Sequence, residues 1–333
     1  MSEKPNPSTT FDRNALDIDA AEETERLINS LRSSVHGTLR RQGAVVGISG
    51  GIDSSVVLAL CVRAFEPHRV LGVLMPEQES SPDSATLAHK VANCCGVETV
   101  TEDITAALQG LGCYRRRDEA IARVFPDYGP GWKAKIVLPG NLLEQATLNI
   151  FQLTVTDPEG QQFTKRLPLR EYSQIIAASN FKQRSRMAIL YYHAEARNYA
   201  VIGTANKNEH ALGFFVKYGD GGADCQPIAH LFKTQVYQLA RYLDVPEEIQ
   251  QRTPTTDTYP GGSTQEEFFY RVPFSILDTV WLGFERGLAK EQIAQVLGLT
   301  AEQVERVSND ITSKKRTTAY LRMPVLTMDI PQA

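Results

Sequence analysis

The run at residues 45–55 carries the residue types best suited to bind an anion. It reads Val45-Val46-Gly47-Ile48-Ser49-Gly50-Gly51-Ile52-Asp53-Ser54-Ser55, an apolar strand, a Ser-Gly-Gly turn and the start of a helix. The glycines allow a tight turn and a close approach to a ligand, and the free N–H groups of a helix start favour negative charge. Because a carboxylate beside a phosphate is a ligand for a bridging magnesium ion, Asp53 indicates a metal–phosphate site. The run has neither the lysine of the G-x-x-x-x-G-K-[ST] loop nor the G-x-G-x-x-G fingerprint.

A second set of polar residues follows a later strand, in the runs GTANKNE at 203–209 and GFFVKYGDGGAD at 213–224. Glu209 together with Asp53 could form a two-carboxylate magnesium site. Lys217 and Lys233 could neutralise phosphates or a carboxylate as point charges. Loops that follow strands carry function in α/β proteins, so these runs predict the other half of the site.

The elements that must position these residues alternate between strand and helix. Apolar periodicity predicts strands at 43–48, 70–75, 97–100 and 199–203, and helices at 17–41, 53–65, 81–95, 180–197 and 234–243. This alternation predicts an α/β fold, a doubly wound parallel sheet with flanking helices, similar to a Rossmann fold. Ligands bind at the carboxyl ends of the strands in such folds, which is where the run at 45–55 lies.

One segment departs from the regular alternation of strands and helices. Residues 112–170 hold a basic run, YRRR at 114–117, and a β-like stretch at 151–164 that could form a hairpin across 157–160. We therefore predict a single domain at 17–325 with an insertion at about 112–170, a helical C-terminal part at about 273–316 and a disordered N-terminus at 1–16.

Composition excludes several classes of protein. The chain has 333 residues, 42% of them hydrophobic and 22% charged, so it can bury a large core. A net charge of −4 argues against a general nucleic-acid binder, and no apolar run is long enough to cross a membrane. Five cysteines without a C-x-x-C pair fit neither a disulfide framework nor a zinc site. The expected compartment is the cytoplasm.

The SGGIDS run resembles the SGGxDS loop of the PP-loop ATP pyrophosphatases, whose fold is of the adenine nucleotide alpha hydrolase type. With NFKQRSRM at 180–187, GTANKNE and KYGDGGAD, the chain resembles the NAD synthetases of that superfamily, over most of 25–110 and 172–325. That family makes NAD from deamido-NAD, ATP and an ammonia source. The KYGDGG run is the most specific part of the resemblance.

The resemblance implies a set of site residues. Magnesium would be held by Asp53 and Glu209. ATP would be bound by Gly47, Ile48, Ser49, Gly50, Gly51, Ile52, Asp53, Ser54, Thr204, Lys233 and Thr255. Deamido-NAD would be bound by Arg184, Lys217, Asp224, Lys314 and Lys315. Lys314 stands where the bacterial form often has histidine, and the insertion is a second departure from the family pattern.

The reaction implied by the resemblance fits these residue types. The nicotinate carboxylate attacks the α-phosphorus of ATP, pyrophosphate leaves, and ammonia then displaces AMP to give the amide. The first step needs positioning and charge neutralisation, which Asp53 and Lys217 would support. The second needs neutral ammonia, and Asp220 or Asp224 could take the proton from ammonium. The ~45 residues before Val45 are too few for an amidase domain, so we expect free ammonia or a glutaminase on another chain.

Two alternatives remain open at the level of sequence. Other PP-loop enzymes share the loop, and a diverged amidoligase could act on another carboxylate. The stretch at 291–304 could also form a helix-turn-helix, but its second helix offers Glu302 and Glu305 beside Arg306, so we interpret it as a helical hairpin. The resemblance further implies a homodimer whose deamido-NAD site spans both chains.

Overall fold

The computed structural model describes residues 11–144, 150–256 and 263–328, and a four-stranded parallel sheet lies at its centre. The described strands are β1 (Ala44–Gly47), β2 (Val70–Leu74), β3 (Glu98–Thr101), β4 (Lys133–Val137), β5 (Gln152–Thr156), β6 (Gln162–Arg166), β7 (Ala200–Ile202), β8 (Thr255–Thr256) and β9 (Ser263–Thr264). The central sheet has the order β3-β2-β1-β7. The order reverses at β1, because β2 pairs on one side of it and β7 on the other.

Helices cover both faces of this sheet. The described α-helices are α1 (Ala20–Arg32), α2 (Ile52–Phe65), α3 (Pro82–Cys94), α4 (Thr105–Gly110), α5 (Cys113–Val124), α6 (Leu169–Arg197), α7 (Lys207–Leu212), α8 (Lys233–Tyr242), α9 (Glu247–Gln251), α10 (Phe274–Glu285), α11 (Lys290–Leu297) and α12 (Ala301–Thr317). Val46 and Ile202 pack in a core with α1, α2 and α8. Val45 and Val201 point to the other face and pack against α6. This alternation along each strand is the pattern of a doubly wound sheet, and the predicted α/β fold is confirmed.

The described part of the segment 112–170, the predicted insertion, forms a helix and a small antiparallel sheet. It begins with α5 and continues into the antiparallel sheet β4-β5-β6, whose β5 and β6 form the predicted hairpin. Strand β4 and helix α5 were not predicted, and α6 begins at Leu169, eleven residues before the predicted start at 180. Ile136, Leu153 and Val155 of this sheet share a core with Ile121 of α5 and Ile175 of α6. The segment 112–170 is therefore packed against α6, which also covers one face of the central sheet.

The N-terminal residues pack into the fold from Phe11 onward, earlier in the chain than the sequence indicated. Leu16 is buried in the core around Tyr270 and Trp281, and Phe11 packs against that core. This corrects the expected disordered segment at 1–16 for its residues 11–16; residues 1–10 lie outside the described part. At the other end, α11 and α12 are joined by three residues. Of the helices described, none is both long and apolar enough to cross a membrane.

A buried ion cluster joins α5, α6 and the loop that follows β2. The Lys182 ammonium of α6 lies 2.8 Å from Glu77 and 2.7 Å from Glu79, which follow β2. Arg117 of α5 lies 2.6 Å from Glu79, and the Tyr114 hydroxyl donates to Glu77 at 2.7 Å. Burial opposes ionisation of Glu79, but Arg117 and Lys182 outweigh it and lower the pKa of that carboxyl. A basic run such as 115–117 is typical of a solvated turn, but the Arg117 side chain is only 4% exposed.

Replacing Lys182 by Met is expected to lower the free energy of unfolding by about 3–5 kcal/mol, because two carboxylates lose a buried partner. Urea denaturation measures the change. The matched control is Lys90→Met, which removes the exposed pair with Glu248 and should cost about 1 kcal/mol or less. Equal losses for the two variants would contradict a structural role of the cluster.

Candidate active site

The predicted anion loop lies between β1 and α2, at the carboxyl end of the central sheet. Helix α2 begins at Ile52 with Gly51 as its N-cap, and no side chain caps it. The hydroxyls of Ser54 and Ser55 donate to the Gly51 carbonyl at 3.0 and 2.8 Å, which holds the turn closed. The first N–H groups of α2 are therefore presented beside the loop, where a phosphate could accept from them.

Gly50 is the position in this loop with the strictest need for glycine. Its φ is +72°, and a Cβ there would lie 2.5 Å from the backbone oxygen of Ser84 in α3. The loop therefore packs directly against the α3 backbone, a contact that a side chain would prevent.

Gly50→Ala is expected to destabilise the protein by about 2 kcal/mol or more, from left-handed strain plus the clash. Thermal unfolding provides the measurement. Gly51→Ala serves as the control, because Gly51 has a φ of −91° and, among the described residues, its Cβ would meet just the Ser49 hydroxyl, at 3.3 Å. A larger loss for Gly51→Ala than for Gly50→Ala would show that the loop does not pack on α3 as described.

Five polar side chains meet at the mouth of the loop. The Lys233 ammonium pairs with the Asp53 carboxylate. The Asn206 amide donates to Asp53 at 3.0 Å, and the Asn206 backbone N–H donates to Glu209 at 3.1 Å. Gln265 donates to the other oxygen of Glu209 at 3.3 Å. Asn206 also caps α7 through the Glu209 N–H, so one residue orients both acids.

The electrostatics of this cluster favour an additional cation. Burial, then the nearby Asp53 charge, raises the pKa of Glu209 to about 8. Burial alone would lower the pKa of Lys233, but the Asp53 and Glu209 charges outweigh it and raise that pKa. The negative charges of Asp53 and Glu209 repel each other, and a cation bound between them would relieve that repulsion. Magnesium prefers carboxylate oxygens beside phosphates, so these two residues fit that ion.

The start of α8 places Lys233 in this cluster. The Asp278 carboxylate accepts from the backbone N–H and the hydroxyl of Thr234, at 3.0 and 2.9 Å, and from the Asn208 amide. Asn208 in turn accepts from the Lys233 N–H at 3.0 Å. The ammonium is 1% exposed and is thus held by a buried network.

A cavity of about 460 Å³ opens over the loop, a size usual for small-molecule sites. The predicted residues that line it are Gly47, Ile48, Ser49, Gly51, Ile52, Asp53, Ser54, Thr204, Glu209, Asp220, Lys233 and Thr255. They come from segments after β1, β7 and α9, so the fold brings together most of the predicted ATP and magnesium residues.

Asp220 lies in this cavity on a short 3-10 turn. Its carboxylate accepts from the Val216 N–H at 2.7 Å, and burial raises its pKa to about 6. Arg186 of α6 also lines the cavity, and its charge partly offsets the rise. A carboxyl with this pKa is ionised at neutral pH and can accept a proton.

The predicted deamido-NAD residues lie outside this cavity. Lys217 donates to the carbonyls of Tyr320 and Met323, at 3.1 and 2.8 Å, and the exposed Arg184 donates to the Lys217 carbonyl. Asp224 is also exposed and accepts from Val201 and Tyr191. Two lysines of α12 are held inside the chain: Lys314 by Asp310 and the Phe269 carbonyl, and Lys315 over the Trp281 ring. Burial lowers the pKa of both lysines.

Several residues of the site were missed by sequence reasoning. Asn206 had a signal, because the N-x-x-E spacing to Glu209 is that of a capping box. Arg252, which donates to the Ser84 hydroxyl at 2.9 Å, and the aromatic residues Phe151, Tyr172 and Phe268 had none. They reach the cavity from segments that are distant in sequence.

The fold and the site define an α/β protein with a glycine-rich loop at the switch point of a parallel sheet, where folds of this class bind ligands. The family model described as NAD synthase matches residues 23–122 and 140–319. The NH3-dependent NAD+ synthetase of Mesorhizobium japonicum is 52% identical over 316 residues, which cover 95% of this chain and 99% of that relative. The enzyme of the same name from Rhizobium meliloti is 48% identical, over 94% of this chain and 93% of the relative.

Solved structures agree on the fold. The NMN synthetase of Francisella tularensis has a TM-score of 0.59 at 24% identity, over 94% of this chain and all of that one. The NH3-dependent NAD synthetase of Campylobacter jejuni, solved with a nitrate ion, has a TM-score of 0.57 at 23% identity, over 93% of this chain and all of that one. The chain belongs to the NAD synthase family.

Proposed function

We propose that this chain is an ammonia-dependent NAD synthase, a carbon–nitrogen ligase that amidates deamido-NAD and cleaves ATP to AMP and pyrophosphate. The observation that carries the proposal is the cluster of Asp53, Lys233 and Glu209 at the mouth of the glycine loop, in a chain of this family. A diverged amidoligase for another acid is less well supported, because relatives named NH3-dependent NAD+ synthetase match along nearly the whole chain.

The first step is positioned by the loop and its neighbours. Residues 47–54 and Lys233 bind the phosphates of ATP, and Thr204 and Thr255 contact the nucleotide from the cavity wall. The acid places a carboxylate oxygen against the α-phosphorus, a P–O bond forms, and the bond to pyrophosphate breaks. Fixed N–H groups and a buried ammonium stabilise the charge that develops on the phosphates. Asp53 and Glu209 would hold magnesium, which supplies further neutralisation of that charge.

The second step requires an amine with a free lone pair. Asp220 lies in the same cavity, and its ionised carboxyl accepts a proton from ammonium. The nitrogen then attacks the carbonyl carbon of the acyl-adenylate, the bond from that carbon to the AMP oxygen breaks, and the extra proton on the nitrogen is released to water as AMP leaves. Because the proton is removed inside the cavity, the nitrogen source can enter the site as ammonium, the form that predominates in neutral solution.

The remaining deamido-NAD residues fit a site shared between two chains. Arg184 and Asp224 are exposed, and the exposed Leu169 and Tyr192 lie on the same long helix α6 as Arg184. We propose a homodimer in which a second chain covers this surface, and sedimentation velocity tests it. We also propose a cytoplasmic location, since all five cysteines are free thiols.

An assay of the purified chain with ATP, magnesium and deamido-NAD tests the proposed function. NAD, AMP and pyrophosphate are expected with ammonium as nitrogen source, and none with glutamine or without a nitrogen source. NAD formation with glutamine alone would contradict dependence on free ammonia. No NAD with either source, despite ATP binding, would show that the acid substrate is a different carboxylate.

A further inference from the structure

The loop between β2 and α3, residues 75–81, forms one side of the cavity. Pro76, Ser80 and Ser81 line the cavity, and Ser81 is also the N-cap residue of α3. A Cβ at Gly50 would lie 2.5 Å from the Ser84 carbonyl oxygen in the first turn of α3. The glycine loop therefore rests on the start of α3, and the start of α3 follows directly from the β2–α3 loop.

Two acids attach the β2–α3 loop to the rest of the fold. Within the loop, the Glu77 N–H donates to the Ser80 hydroxyl at 3.0 Å, and the Glu79 N–H donates to the Glu77 carboxylate at 3.1 Å. These bonds close the loop on itself, so its place beside the cavity depends on contacts with other elements. The carboxylates of Glu77 and Glu79 make such contacts, with α5 and α6.

Two buried cations bind these acids. Lys182 of α6 lies within 2.8 Å of both carboxylates, and Arg117 of α5 lies 2.6 Å from Glu79. The side chains of Lys182 and Arg117 are 1% and 4% exposed, so water screens these pairs little. Neither cation is among the described residues that line the cavity. They can therefore act on a bound ligand through the loop.

We propose that Arg117 and Lys182 are positioning residues for ATP, because their ion pairs fix the β2–α3 loop beside the glycine loop. The inference rests on the proposed function and gives the segment 112–170, through Arg117, a part in nucleotide binding. A buried carboxylate that loses its partner is strongly destabilised, so without these pairs the loop shifts to bring its acids to water. Ser80 and Ser81 then leave the positions in which they face the nucleotide.

The test replaces Arg117 by Met in the full chain. The KM for ATP, and the Kd for ATP measured by calorimetry with magnesium and no acid, should both rise about tenfold, as expected when a binding group is misplaced. The KM for deamido-NAD should stay within about twofold of the wild type. Arg117→Lys keeps a cation beside Glu79 and should restore most of the ATP affinity. The matched control is Arg115→Met, which removes an exposed pair with Glu119 on the same helix and should change neither constant.

Hydrogen exchange distinguishes positioning from a general loss of stability. In the ligand-free Arg117→Met variant, amide exchange should become faster at residues 77–84 and stay unchanged in the central sheet. If this variant does not fold, Glu79→Gln keeps the size of the side chain and weakens the pairs with both cations. A higher KM for ATP and faster exchange at 77–84 are expected for it as well.

Three results would overturn the inference. They are unaltered ATP binding in a folded variant, an increase in the KM for deamido-NAD alone, and an equal loss of ATP affinity in Arg115→Met. A wild-type chain that binds ATP but makes no NAD defeats the proposed function and leaves calorimetry to decide on the loop. A wild-type chain that binds no ATP defeats both.

Discussion

Replacing Asp53 by Asn is expected to lower kcat/KM for ATP by roughly three orders of magnitude. Asp53 is the partner of the buried Lys233 ammonium, accepts from Asn206 and faces the phosphate loop. Asn keeps the size of the side chain but removes the charge that would hold magnesium and balance Lys233. Steady-state rates at varied ATP and magnesium measure the loss.

The control for this prediction is Asp17→Asn, which removes an exposed carboxylate far from the loop in sequence. Circular dichroism establishes that both variants are folded, so that rates refer to folded protein. A kcat/KM for Asp53→Asn within about threefold of the wild type, a loss far below that of one electrostatic contact, would remove this carboxylate from the reaction.

The second large effect is expected at Asp220, where Asn should slow turnover about a hundredfold at neutral pH. Asn still offers an oxygen to the Val216 N–H, so the 3-10 turn is retained. Burial raises the pKa of Asp220 to about 6. Above that pH the wild-type carboxyl is ionised and can take the ammonium proton, and below it the carboxyl holds its own proton.

The pH dependence of this effect provides its measurement. The ratio of wild-type to variant rates should be about a hundred above about pH 7, fall to about ten at about pH 5, and approach one below about pH 4. Free ammonia becomes scarcer at low pH for both proteins, so the ratio isolates the carboxyl. A ratio that is independent of pH, or near one at saturating ammonium, would contradict the role of Asp220 as base.

The phosphate loop and the sheet could be predicted from sequence because their signals are local. Apolar strands, a glycine turn and a helix start lie within one short run, and the order of strands and helices predicts a parallel sheet. Pairing across the chain could not be predicted in this way. Asp53 meets Lys233 across 180 residues, and the position of Lys233 depends on Asp278 in α10.

The segment 112–170 was the least predictable part of the molecule. Its basic run has the composition of a solvated turn, but Arg117 is buried because Glu79 and Lys182 surround it from distant segments. Phe151 and Tyr172 read as ordinary core residues in the sequence. Only the packing of the small sheet beside α6 brings them to the cavity.

The residues implied for deamido-NAD stay predictions. Lys217 and Lys314 are held by carbonyl oxygens and, for Lys314, by Asp310 within this chain. Sequence resemblance assigns a residue to a site without stating what else it contacts. If a second chain completes the site, Arg184 and Asp224 can reach the substrate from the exposed surface.

The central claim is that the acid attacks the α-phosphorus of ATP, and an isotope experiment tests it most directly. Deamido-NAD with a heavy oxygen isotope in its carboxylate is incubated with the chain, ATP, magnesium and ammonium, and the products are analysed by mass spectrometry. The account predicts one heavy oxygen in AMP and none in pyrophosphate. Heavy oxygen in inorganic phosphate, or AMP without it, would contradict the acyl-adenylate and the function built on it.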